Sequence, residues 1–173
     1  MYMNKPIIQA AKLKDYIDLT ELLKKTLDKL NAEQKVLLAV ITTKKMSKTK
    51  YGAIIGGLFE FYFIDIAQSI YPGLNIIHPD NDCELGDAYS ITLGNGIELK
   101  FTLGWNNGQI AWSQSTVQSH EKDFLFIKGS IENCKLFIDF SYYGHMSYND
   151  WTVHGKGMNV GPEKVQEFCE RII

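Results

Sequence analysis

At 173 residues the chain fits one domain with a sizeable core, and 45% hydrophobic against 22% charged residues excludes a disordered or fibrous protein. Its net charge of −2 conceals an asymmetry: residues 1–50 carry eleven lysines against five acids, residues 51–173 seven bases against fifteen acids. Three cysteines (Cys83, Cys134, Cys169) show no metal-ligand spacing, and their odd number argues against a disulfide framework, so a reducing cytoplasm is the expected compartment.

No membrane span is expected, because Glu60, Asp65 and Gln68 interrupt the apolar stretch Ala53–Ile70, and Met1 to Pro6 lacks the apolar segment of a signal peptide. Apolar positions at Leu13, Tyr16, Ile17, Leu19, Leu22, Leu23, Leu27 and Leu30 predict an amphipathic helix over 10–29. Asn31 then suits the N-cap of a second helix, 32–42. The lysine-rich stretch Lys44, Lys45, Lys48 and Lys50 reads as a loop able to meet phosphates, or as a merely solvated connection. A third helix runs from about 50 to 71 and stops at Pro72-Gly73, with Gly56-Gly57 weakening its middle.

From Leu74 the character changes to strands. Leu74–Ile77 is a short one, and 88–93 and 97–103 form a hairpin around Gly94-Asn95-Gly96. Residues 110–120 read as a helix or an irregular segment. Two more strands, 124–131 and 135–143, pair through Glu132-Asn133. Residues 144–161, rich in Gly, Asn, His and aromatics, look like a long functional loop, with Asn149 suited to contact adenine. Pro162 opens a final helix to Ile172. The division is a helical region 1–50 and a core 51–173 within one domain, an α/β plan with a mixed central sheet.

The chemistry concentrates in Ile97-Glu98-Leu99-Lys100-Phe101. Strict alternation there places Glu98 and Lys100 on one face of a strand and the three apolar side chains on the other. A carboxylate and an ammonium about 7 Å apart on a rigid strand can hold a divalent ion and orient a water. Asp87 precedes them across the hairpin. A three-residue turn would pair Leu93 with Ile97, Ile91 with Leu99 and Tyr89 with Phe101, leaving Asp87 on the wrong side unless the strand bends at Gly86. Asp80, Asp82 and Glu84 are the substitutes if it does not. A second acid-x-lysine, Glu33-Gln34-Lys35, sits at a helix start without an acidic hairpin partner. The four histidines, His78, His120, His145 and His154, have no zinc-type spacing and read as structural or exposed.

Asp87 followed by Glu98-Leu99-Lys100, with Glu60 on the preceding helix, resembles the PD-(D/E)XK nuclease superfamily and its type II restriction endonucleases. The resemblance spans roughly residues 52–143 as a pattern of elements. It implies an αβββαβ core, Mg²⁺ held by Asp87 and Glu98, catalysis by Asp87, Glu98, Lys100 and Glu60, and double-stranded DNA as substrate of a homodimer. A repair or Holliday-junction nuclease of the same superfamily is the nearest alternative. An immunity or inhibitor module without catalysis is the alternative from another class.

Overall fold

The structure, a computed structural model, describes residues 11–44, 46–80, 85–103, 110–113, 122–154 and 157–173. Its first helix starts later than periodicity suggests. A 3-10 turn, Leu13–Tyr16, comes first, the backbone extends at Ile17, and Asp18 then caps α1 (Leu19–Glu33) by accepting the Glu21 N–H at 3.0 Å. Asn31 does not cap the next helix as expected. It lies inside α1, and its amide grips the backbone of Leu136, donating to the carbonyl and accepting from the N–H, both at 2.8 Å. The helices α2 (Lys35–Lys44) and α3 (Lys48–Ile70) follow.

Six strands form the main sheet: β1 (Ile76–Ile77), β2 (Ala88–Ser90), β3 (Asn95–Thr102), β5 (Lys122–Glu132), β6 (Lys135–Met146) and β9 (Glu170–Arg171), in the spatial order β1-β2-β3-β5-β6-β9. All neighbours are antiparallel except β3 and β5, which run parallel and so need a crossover. Part of that crossover is a strand, β4 (Ile110–Ser113), where a helix or irregular segment was expected. It pairs with β8 (Gly157–Val160), which pairs with β7 (Thr152–His154), as a separate three-stranded sheet. The expected loop over 144–161 is therefore largely β6, β7 and β8. The last helix, α4 (Pro162–Phe168), is also shorter than expected because the chain extends at Cys169 to enter β9.

Alternation along the strands divides the core in two. Ile97 and Leu99 of β3, Leu125 and Ile127 of β5 and Tyr143 of β6 pack with Leu22, Leu23 and Leu30 of α1 and Phe59 and Phe63 of α3. Phe124 and Phe126, on the opposite side of β5, pack with Trp151, Val160 and Val165. The leucines of α1 and α2 are thus used internally, and the large apolar side chains that α2 leaves at the surface are Val36 and Val40.

Contrary to the expectation of no span, Lys50–Ile70 of α3 is long and apolar enough to cross a membrane by length and composition alone. Its Ile55, Phe59, Phe63 and Ala67 are buried in the first core, and 33% of the apolar window is buried in all.

Candidate active site

The hairpin register decides the site. Ala88 faces Ile97, Tyr89 faces Gly96 and Ser90 faces Asn95, with residues 91–94 forming the turn. This corrects the expected pairing of Tyr89 with Phe101. Asp87, one residue before β2, thereby lies beside β3 near Glu98.

Two glycines permit the approach. Gly86 adopts a φ of +85°, and a methyl there would lie 3.0 Å from the Ile97 carbonyl. A methyl at Gly96 would strike the carbonyl oxygen of Leu85. Where the ladder of β2 ends, the Asp87 carboxylate takes over as acceptor, receiving the Leu99 N–H at 2.7 Å. Asp87 and Glu98 are both 5% exposed.

Lysines bracket Glu98. Lys100 Nζ lies 3.3 Å from Oε1 and Lys122 Nζ lies 3.5 Å from Oε2, which accepts no hydrogen bond. Burial, and then the Asp87 carboxylate, push the Glu98 carboxyl up to about 7 against the pull of the two lysines. A pair of buried acids that resists full ionisation is an arrangement a cation relieves.

Glu60 of α3 and His78, just past β1, complete the cluster. The His78 Nδ1 stands 3.4 Å from Glu60 Oε1 and 3.1 Å from the Asp87 carbonyl oxygen. One donor atom each from Glu60, His78 and Asp87 lie within 4.8 Å of one another. Two depressions flank Glu60. One, of about 210 Å³, is lined by Gly52, Ala53, Gly56, Lys100 and Phe101 among others; the second, of about 320 Å³, runs past Phe61 and Gln68 to His78.

The four side chains expected to carry catalysis, Asp87, Glu98, Lys100 and Glu60, are therefore gathered in one region. Asp80 is exposed, while Asp82 and Glu84 lie outside the described residues. Of the expected phosphate contacts, Lys44 and Lys50 are exposed, whereas Lys45 and the Lys48 side chain lie outside the described residues; Asn149 is exposed in a 3-10 turn, Tyr148–Asp150. Trp151 of the same segment packs on Phe124 at 5.4 Å between centroids.

Sequence reasoning missed Lys122 and passed over His78. A charged Lys122 opening the apolar run Phe124–Ile127 was the available hint, since a lysine at the start of a central strand needs a partner on the next. For His78 the pattern offers none.

The class these features define is an α/β protein with a six-stranded mixed sheet and four helices among the described residues. In comparisons with known proteins no family model, no curated protein and no solved structure matches the chain.

Proposed function

We propose that the chain is a Mg²⁺-dependent endonuclease of the PD-(D/E)XK type, a cytoplasmic type II restriction enzyme that cuts double-stranded DNA as a homodimer. One observation carries the reading: Asp87, one residue before β2, and Glu98 of β3 are buried side by side, with Lys100 3.3 Å from Glu98. The order of elements agrees in part: α3 precedes the antiparallel β1, β2 and β3 and a crossover returns as β5 parallel to β3, while its described portion is the strand β4 and not the helix of an αβββαβ core.

The donor set fits a hard divalent ion. Two carboxylates and a buried oxygen that accepts no hydrogen bond are what Mg²⁺ takes. Asp87 and Glu98 would hold it, and when bound it supplies a Lewis acid for the phosphoryl oxygen. The protein groups do the positioning. The Leu99 N–H fixes Asp87. Lys122 and Lys100 hold Glu98 from both sides, and Lys100 orients the attacking water and stabilises the charge that builds on phosphorus. Water oxygen bonds to phosphorus as the ester P–O bond breaks, and the proton leaves with the departing oxygen.

Small residues open the path to Lys100. Gly52, Ala53 and Gly56 line its depression, and Gly52 has no atom within 4 Å of where a Cβ would be. The basic stretch from Lys44 to Lys50 leads into this end of α3, where phosphates gain from each lysine.

Cleavage of unmethylated plasmid with Mg²⁺, run beside Lys100→Ala and Glu98→Ala, tests the reading. Discrete bands that fall by about 10³-fold or more in both variants are expected. A smear lost in both variants would instead indicate a repair-type nuclease. No cutting of any DNA by folded wild type and variants alike favours the non-catalytic binding module.

A further inference from the structure

The Glu60, His78 and Asp87 cluster differs in chemistry from the pair Asp87 and Glu98. Two of its donors are carboxylates from α3 and from the head of β2, and the third is an imidazole that β1 delivers. Carboxylates alone suit Mg²⁺ or Ca²⁺, whereas a nitrogen donor favours first-row transition ions in the order Mn²⁺, Fe²⁺, Co²⁺, Ni²⁺.

The cluster is not an ordinary surface group of acids. Asp87 is 5% exposed and tied to the Leu99 N–H, so its carboxylate is fixed, while Glu60 and His78 reach it from solvent-open ground. Beside Asp87 stands Glu98, nine-tenths buried, with an oxygen that accepts no hydrogen bond. The His78 Nδ1 approaches the Asp87 carbonyl oxygen at 3.1 Å and Glu60 Oε1 at 3.4 Å. With Nδ1 given to the Asp87 carbonyl, Nε2 is the nitrogen left for an ion, which is how metal-ligating imidazoles are commonly held. The three donors lie within 4.8 Å of one another. Bonds of about 2.1 Å would draw them to roughly 3–3.5 Å, a change that rotation of the partly exposed Glu60 and His78 side chains can supply.

We propose that Glu60, His78 and Asp87 form a second ion position, selective for a first-row transition ion, that shares Asp87 with the Mg²⁺ position. The proposal rests on the metal-centre part of the reading above, and deepens it by naming the class of a second ion. It does not require that DNA be cut.

Titration of the metal-free full chain with Co²⁺, followed by its visible d–d absorption, is the test, with Mg²⁺ binding followed in parallel by calorimetry. A bound-Co²⁺ spectrum is expected for wild type. His78→Ala and Glu60→Gln should each weaken Co²⁺ by about tenfold or more while His78→Ala changes Mg²⁺ affinity by less than about twofold. Glu98→Gln should keep the Co²⁺ spectrum. Equal Co²⁺ affinity in wild type and His78→Ala overturns the proposal, as does an equal loss of Co²⁺ and Mg²⁺, which would make His78 only a prop for Asp87. His78→Gln, which keeps a polar side chain, guards against a folding artefact, and it too must lose Co²⁺. Co²⁺ bound through His78 in a protein that cuts no DNA would sink the nuclease reading and leave the ion position standing. Robust cutting with Co²⁺ affinity indifferent to His78 would do the reverse.

Discussion

Two buried carboxylates stand on adjacent central strands, Glu98 on β3 and Asp123 on β5, and they are treated oppositely. Asp123 is fully served: the Tyr143 hydroxyl donates to it at 2.9 Å, the His145 Nδ1 lies at 2.9 Å and the Lys12 ammonium at 3.3 Å. Glu98 has comparable burial, yet one of its oxygens accepts no hydrogen bond and a second acid, Asp87, is set beside it. Satisfied polar groups in a core stabilise a unique packing, whereas a half-satisfied group carries a cost that selection retains only where something else completes it. The contrast separates a structural cluster from a candidate site within one sheet.

Breaking the satisfied cluster should have the largest effect. Asp123→Ala leaves the buried Tyr143 hydroxyl and the Lys12 ammonium without their partner and should cost about 3–5 kcal/mol in urea unfolding. At pH 5 and without metal, Glu98→Gln should stay within about 1 kcal/mol of wild type. A larger loss at Glu98 than at Asp123 would reverse the comparison.

Gly86→Ala comes next. A side chain at a φ of +85°, pressed on the Ile97 carbonyl, should cost about 2 kcal/mol by the same measurement, and it should also weaken Mg²⁺ binding by displacing Asp87. Wild-type stability and metal affinity in that variant would mean that Asp87 is not held by this close approach.

Titration sharpens the contrast further. Burial and Asp87 raise Glu98 from an ordinary 4.5 to about 7. Between those values the folded protein keeps a proton that the unfolded chain has released. Metal-free stability from this group is therefore full below about 4.5 and is lost as pH rises through 7, by about 2–3 kcal/mol. The difference in unfolding free energy between wild type and Glu98→Gln, measured from pH 4.5 to 8, should fall by that amount, and saturating Mg²⁺ should offset the fall. A flat difference would mean that Glu98 is ionised throughout.

The smallest effect concerns thiols. Burial, and secondarily Asp150, push Cys169 up to about 12, and Gly144 packs against its sulfur, whereas Cys134 is exposed at the β5–β6 turn. In a Cys83→Ser background at pH 8, a thiol reagent should label Cys134 within minutes and spare Cys169 until the chain unfolds. Comparable rates at both would place Cys169 in a looser part of the fold than the second core allows.

Much of this was legible in the sequence, for local reasons. Alternation in Ile97–Phe101 placed the strand and divided its faces, because side chains two apart share a side whatever the partner strand is. Proline and glycine at 72–73 marked the end of α3, and Glu132-Asn133 marked the β5–β6 turn, where Asn133 and Cys134 take positive φ. The bounds of α1 were misjudged because Asp18 competes with the apolar periodicity for the helix start. Asn31 was misread as a cap because its partner, Leu136, lies 105 residues away.

Sequence by itself determined the strand character of β3, the identity of its acid and lysine and the presence of Asp87 before it, since those depend on neighbours a few residues apart. Tertiary structure alone decided the hairpin register, which lies five residues from the expected one and brings Asp87 beside Glu98. It alone brought Lys122 from a parallel strand and His78 from the end of β1 to the same place. Register between strands is set by how turn and core pack together, and a change of register alters which residues meet across the strands without altering the pattern along either one.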